Sequence, residues 1–160
     1  MAKKEEKTNV MRTLDQKKIA YIPHAYDPDG PIDGVSVART LGQDPSCVFK
    51  TLVTRGASGG YYVFDIPAAE NLDLKKAARA VGEKSVAMLH VADLLKTTGY
   101  IRGGCSPVGM KKRFVTVVDT SAENWPTIMV SAGRIGAQVE LRPADLLAVT
   151  GAAWGELVMQ

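Results

Sequence analysis

Hydrophobic and polar positions along this chain alternate with two periods, and the switches between them mark its elements. "TNVMRTLDQKK" puts Val10, Met11 and Leu14 on one side of a 3.6-residue repeat behind a Thr8 or Asn9 cap, which predicts a first helix. "IAYIPHAYD" (19–27) predicts a short apolar strand. The next stretch, "DPDGPIDG" (27–34), has two prolines and two glycines and predicts an irregular loop. Asp33 is the expected cap of a second helix through Leu41, with Val35, Ala38 and Leu41 inward and Gly42 as its stop. Two β-rich runs, 48–54 and 61–66, flank a Gly/Ser turn and predict a hairpin. "NLDLKKAARAVG" predicts an amphipathic helix with Leu74, Ala77, Ala78 and Val81 on one side and Gly82 past its end.

The second half repeats this mixture. "SVAML", "FVTVVD", "TIMVS" and the run after "AGRIG" predict strands; "VADLLKTTG" and "RPADLLAVTG" predict helices that stop at Gly99 and Gly151. Several neighbouring strands are joined by short turns, so antiparallel pairing dominates. The pattern predicts an α+β fold with a mixed, mostly antiparallel sheet, open or curled into a barrel. A doubly wound parallel sheet fits worse, because regular β-α-β alternation is absent.

Composition narrows the class. A chain of 160 residues suits one domain over 1–160, with the charged start, residues 1–7, expected as a flexible tail. The 46% hydrophobic and 23% charged fractions are those of a globular domain. No run approaches the roughly 18 apolar residues of a membrane span. "MAKKEEKTNV" lacks the apolar centre of a secretory signal, and Cys47 and Cys105 are too few for a disulfide framework, so a cytoplasmic protein is expected. Cys and His spacing, with His24 and His90 far apart, predicts no metal site. Net charge is +3, from 20 basic and 17 acidic residues, which permits an anionic partner without requiring one. "MKKRF" (110–114) is the densest basic spot.

Candidate chemistry gathers in three places. In "CVFKTLVTRG" (47–56), Lys50 interrupts an apolar strand and faces either solvent or a pocket. By alternation it shares a face with Val48 and Leu52, which leans toward a cleft. "GGCSPVG" (103–109) packs three glycines and a proline into seven residues, as an anion-binding nest of N–H groups or as a tight bend. "SAGRIG" (131–136) presents Ser131 and Arg134 on a second turn. Nothing in the spacing supports a Ser–Lys dyad of Lys50 with Ser106 or Ser131. Cys105 has no nearby histidine to activate it. Tyr26 either lines a pocket or packs, and Trp125 and Trp154 form no periodic stacking platform.

Taken together, "VFKTLV", "TGYIRGGCSPVGMKKR" and "VSAGRIGAQVEL" followed by "PADL" resemble the YbaK/EbsC family. These are Cys-tRNA(Pro) deacylases related to the inserted editing domain of bacterial prolyl-tRNA synthetases. The resemblance runs from about Asp15 to Val158. It implies a barrel-like, largely antiparallel sheet with peripheral helices and no cofactor. It also implies a substrate, the 3′ end of tRNA(Pro) mischarged with cysteine, and action beside prolyl-tRNA synthetase, with neither membrane nor DNA as partner. Cysteine and proline are similar in volume, and a pocket separates such side chains by only about 1–3 kcal/mol. Editing in trans is then useful.

By this resemblance Lys50 is the signature lysine and Thr51 follows it. Tyr26 matches a pocket tyrosine. Gly103, Gly104, Ser106, Pro107 and Gly109 match the glycine-rich loop, and Ser131, Gly133 and Arg134 the second turn. Cys105, Ile135, Asp33 and Gln138 depart from common family residues. The implied mechanism needs no protein nucleophile, because the cysteinyl thiol attacks its own ester. Gly103 and Gly104 N–H groups stabilise the oxyanion, and Lys50 fixes the terminal phosphate or the aminoacyl end. The alternatives are an Ala-tRNA(Pro) deacylase that uses water and a non-catalytic aminoacyl-tRNA or nucleotide-binding module.

Overall fold

A computed structural model describes residues 7–160. The tail expected over residues 1–7 lies, apart from Lys7, outside the described residues. Helix α1 (Asn9–Gln16) starts where the Thr8 side chain accepts a hydrogen bond from Met11 N, and it buries Val10, Met11 and Leu14. Strand β1 (Ile22–Ala25) follows, then α2 (Gly34–Thr40), capped by the Asp33 carboxylate on Ser36 N. Its fully buried residues are Val37 and Ala38, while Val35 and Leu41 flank the same cluster, half-buried.

The expected hairpin is β2 (Phe49–Gly56) and β3 (Tyr61–Pro67), antiparallel, with Lys50 opposite Ile66 and Thr51 opposite Asp65. Helix α3 (Leu74–Val81) ends at Gly82 in the left-handed conformation. It buries Ala77 and Ala78, whereas Leu74 remains exposed. Strand β4 (Val86–Met88), helix α4 (Val91–Thr98) and strand β5 (Val115–Asp119) come next. Strands β6 (Ile128–Ser131) and β7 (Ala137–Leu141), helix α5 (Pro143–Thr150) and a short β8 (Ala153–Gly155) complete the chain.

The strands form two sheets, β1-β7-β6 and β4-β2-β3-β5-β8. Among the described residues four of the six pairings are antiparallel; β3–β5 and β5–β8 are parallel. The α+β class and the mostly antiparallel pairing match expectation. Among the described residues the barrel-like sheet is not closed: the two sheets pack together but are joined by one parallel bridge, Val48 with Met129, and then part. The parallel pairs and the three-residue β8 escape pattern reading because their partners come from distant chain segments.

One face of the small sheet, with Ile128, Val130, Val139 and Leu141, packs on Val10 and Leu14 of α1 and Leu146 of α5. Helix α3 covers Phe64, Ile66 and Val117 of the large sheet, joined by Leu157. Each such side chain, fully buried, contributes roughly 1.5–3 kcal/mol. The opposite face of the small sheet carries Met129, Ser131, Gln138, Glu140 and His24, and that polar face looks toward the gap between the sheets.

Candidate active site

The gap holds a cavity of about 470 Å³. Val48 and residues 49–52 of β2 form one wall; the start of α2, Ala68, the loop at Arg102, Gly103 and Cys105, and Ser131 and Gln138 form the others. Lys50, Thr51, Gly103 and Ser131, all singled out from sequence, meet here. Lys50 is half-buried on the wall. Burial pulls its ammonium below the ordinary lysine value, opposed by the negative charge of Glu70. Thr51 donates its hydroxyl to Asp65 Oδ1 at 2.6 Å.

The two glycine turns pack against each other. A Cβ on Gly104 would lie 3.0 Å from the backbone of Arg134 and Ile135. Gly103 has φ +86, and a Cβ there would meet Ile32 and Ile135. These contacts hold the Gly103 backbone at the cavity wall. Gly104 N already donates to Ile101 O at 3.0 Å, so its N–H is not available to an oxyanion, and of the two glycines expected as donors only Gly103 lines the cavity. Ser106 is fully buried and its Oγ accepts from Val108 N at 3.3 Å, which makes it a turn residue. Pro107 is buried and Gly109 exposed, and neither lines the cavity. Gly133 lies against the ring of Tyr100 and Gly109 against its hydroxyl, which donates to Val108 O at 2.6 Å. Arg134 is exposed off the wall. Tyr26 also lies off the wall, with its hydroxyl buried and unpartnered. It neighbours Gly136 and shares a sheet face with Gln138, whose Oε1 is likewise buried without a partner.

Two features of this region carry no local sequence signal. Asp65 is wholly buried and its Oδ2 has no partner; burial pushes its carboxyl up to about 7, against the lowering effect of the Thr51 hydroxyl. Arg102 lines the cavity while remaining exposed. Cys105 is pushed up to about 12, first by burial and then by Asp65, which keeps it a thiol. The basic run at 110–114 is partly spent on helix ends. Lys111 Nζ lies 3.5 Å from Lys96 O, and the Arg113 guanidinium lies over Gly151, the C-cap of α5.

A cavity with one half-buried cation, the Gly103 turn in its wall and the unpartnered Gln138 Oε1 suits a small, partly anionic ester or phosphate. The family profile of the aminoacyl-tRNA editing domain matches residues 33–149. This chain is an aminoacyl-tRNA editing domain. A relative from Enterococcus faecalis (strain ATCC 700802 / V583), named "Putative Cys-tRNA(Pro)/Cys-tRNA(Cys) deacylase EbsC", is 46% identical over 160 residues, spanning 98% of each chain. A solved structure described as "a putative trans-editing enzyme for prolyl tRNA synthetase" superposes at TM-score 0.80 and 25% identity, covering 94% of this chain and 95% of its own. The hypothetical protein APE2540 shares the fold at TM-score 0.86 and 24% identity, over 94% and 99% of the two chains. The matched segment of the editing domain contains every wall residue of the cavity except Ile32.

Proposed function

We propose that this editing domain deacylates Cys-tRNA(Pro) in trans. The observation that carries the reading is Lys50, half-buried on the wall of a cavity that also presents the Gly103 loop. The 46% identical relative's name supports the substrate class. Lys50 holds the terminal phosphate or the aminoacyl end by charge. Gly103 N–H supports the oxyanion as the acyl carbon becomes tetrahedral; one such donor is worth ~2.7–4 kcal/mol.

The nucleophile comes with the substrate. The cysteinyl sulfur bonds to its own acyl carbon, the bond from that carbon to the ribose oxygen breaks, and the thiol proton passes to the leaving ribose oxygen. A cyclic thioester departs and water opens it to cysteine. Attack within one bound molecule gains from proximity if the walls fold the side chain back. The protein's own thiols do not compete: burial raises both Cys47 and Cys105. Prolyl-tRNA synthetase, as a partner, supplies the choice of tRNA(Pro), because a net charge of +3 gives the domain little grip on a tRNA body.

The test uses the purified protein with tRNA(Pro) carrying cysteine, alanine or proline. Release of cysteine alone is expected. Equal release of alanine would favour the water-using deacylase, and binding without any release would favour the non-catalytic module.

A further inference from the structure

The hydrogen-bonding sense of β2 is set by its ladder with β3. Val48 O accepts from Ala68 N at 2.8 Å and Gly56 N donates to Gly60 O at 2.7 Å, so even-numbered residues exchange bonds with β3. Odd-numbered residues turn their N–H and C=O to the opposite edge. Val53 O accepts there from Leu89 N at 3.0 Å. Residues 86–89 cover that edge over residues 53–56, and the hydrogen-bonded pairing with β6 is limited to the single bridge of Val48 with Met129. Between these two covers Thr51 turns its main-chain N–H and C=O into the fork where the sheets part, on the cavity wall. Its hydroxyl, bonded to Asp65 at 2.6 Å, points away from that edge and pins the residue.

The geometry points to Thr51 as a main-chain receptor for the aminoacyl group. This rests on the editing function proposed above and names the contact by which that site holds its substrate. An aminoacyl ester carries the ammonium and the carbonyl of one residue. It therefore forms a single antiparallel rung: Thr51 C=O accepts from the α-ammonium, and Thr51 N–H donates to the acyl oxygen. The rung reads no side chain. It fixes the acyl carbon against the wall and leaves discrimination to the rest of the cavity.

Two comparisons test it in single-turnover deacylation. Thr51→Pro deletes the N–H at a strand edge, where proline is tolerated, and Thr51→Val, which lacks the hydroxyl but keeps the N–H, is its reference. The proline variant is expected to be at least ~10²-fold slower than the valine variant. Wild-type protein is expected to act at least ~10-fold more slowly on tRNA(Pro) carrying 3-mercaptopropionate, which is cysteine without its amino group, than on Cys-tRNA(Pro). Equal rates for the two variants, with the proline variant folded by circular dichroism, overturn the proposal. If the proline variant does not fold, the substrate pair decides, and equal rates on the two acyl groups overturn it. A wild-type protein that releases neither acyl group overturns the editing reading itself, and the receptor falls with it.

Discussion

Thr51 and Asp65 stand opposite each other across the β2–β3 hairpin, hydroxyl to Oδ1 at 2.6 Å, in the close, non-hydrogen-bonded type of pair. The other carboxyl oxygen of Asp65 has no partner and the residue is fully buried. A carboxyl so placed keeps its proton to about pH 7, whereas in the unfolded chain it loses it near ~3.9. Between those values the folded state binds more protons than the unfolded one, so stability falls as pH rises. Asp65→Asn removes that slope. Relative to the variant, the wild type should lose up to ~1.4 kcal/mol per pH unit across this window and then run parallel to it. Urea titrations at several pH values check this; parallel curves throughout would contradict it.

Lys50 separates function from stability. Burial depresses its ammonium, so a charge placed there costs the fold. Lys50→Met should cut deacylation by at least ~10²-fold while leaving Tm unchanged or higher. Lys50→Arg keeps the charge but brings a broader, forked head into a narrow wall, and should also be impaired. Rates and melting curves on the same samples decide. A Met variant with full activity would remove Lys50 from the site.

The contact of the two glycine turns gives a third test. Gly104→Ala pushes a methyl against the backbone of Arg134 and Ile135 at 3.0 Å, neither of which can rotate away. The expected loss is about 1–3 kcal/mol, with slower turnover as the Gly103 wall shifts. Gly103→Ala meets the mobile end of Ile32 but sits at φ +86, and should cost about 1–2 kcal/mol. Denaturant melts with single-turnover rates measure both.

Neither cysteine should be reactive in the folded protein. Cys105 is pushed up to about 12 and Cys47 is raised, both chiefly by burial. Iodoacetamide near neutral pH should leave the native protein unmodified and label both thiols after denaturation, as read by mass spectrometry. Rapid native labelling of Cys105 would point to a protein nucleophile in place of the substrate's own.

Much of this site is legible in the sequence because it follows local rules. The cap at Asp33, the hairpin around residues 56–60 and the apolar neighbours of Lys50 all depend on residues a few positions apart. What escaped depends on distant partners. Asp65 reads as an ordinary polar position until β2 places Thr51 opposite it. Ser106 and Gly104 match the loop expected to contact substrate, but in the fold Val108 N and Ile101 O engage them. The open fork at Thr51 reflects two sheets parting after one bridge, which no local pattern encodes.

The central claim is that the thiol of the substrate, with Lys50 and the Gly103 wall to position it, does the chemistry. Single-turnover deacylation of Cys-tRNA(Pro) against Ser-tRNA(Pro) tests it most directly, since the two acyl groups differ at one atom. The cysteinyl ester should be cleaved at least ~10²-fold faster, because the hydroxyl is the poorer nucleophile at neutral pH. Equal rates on the two would contradict the account.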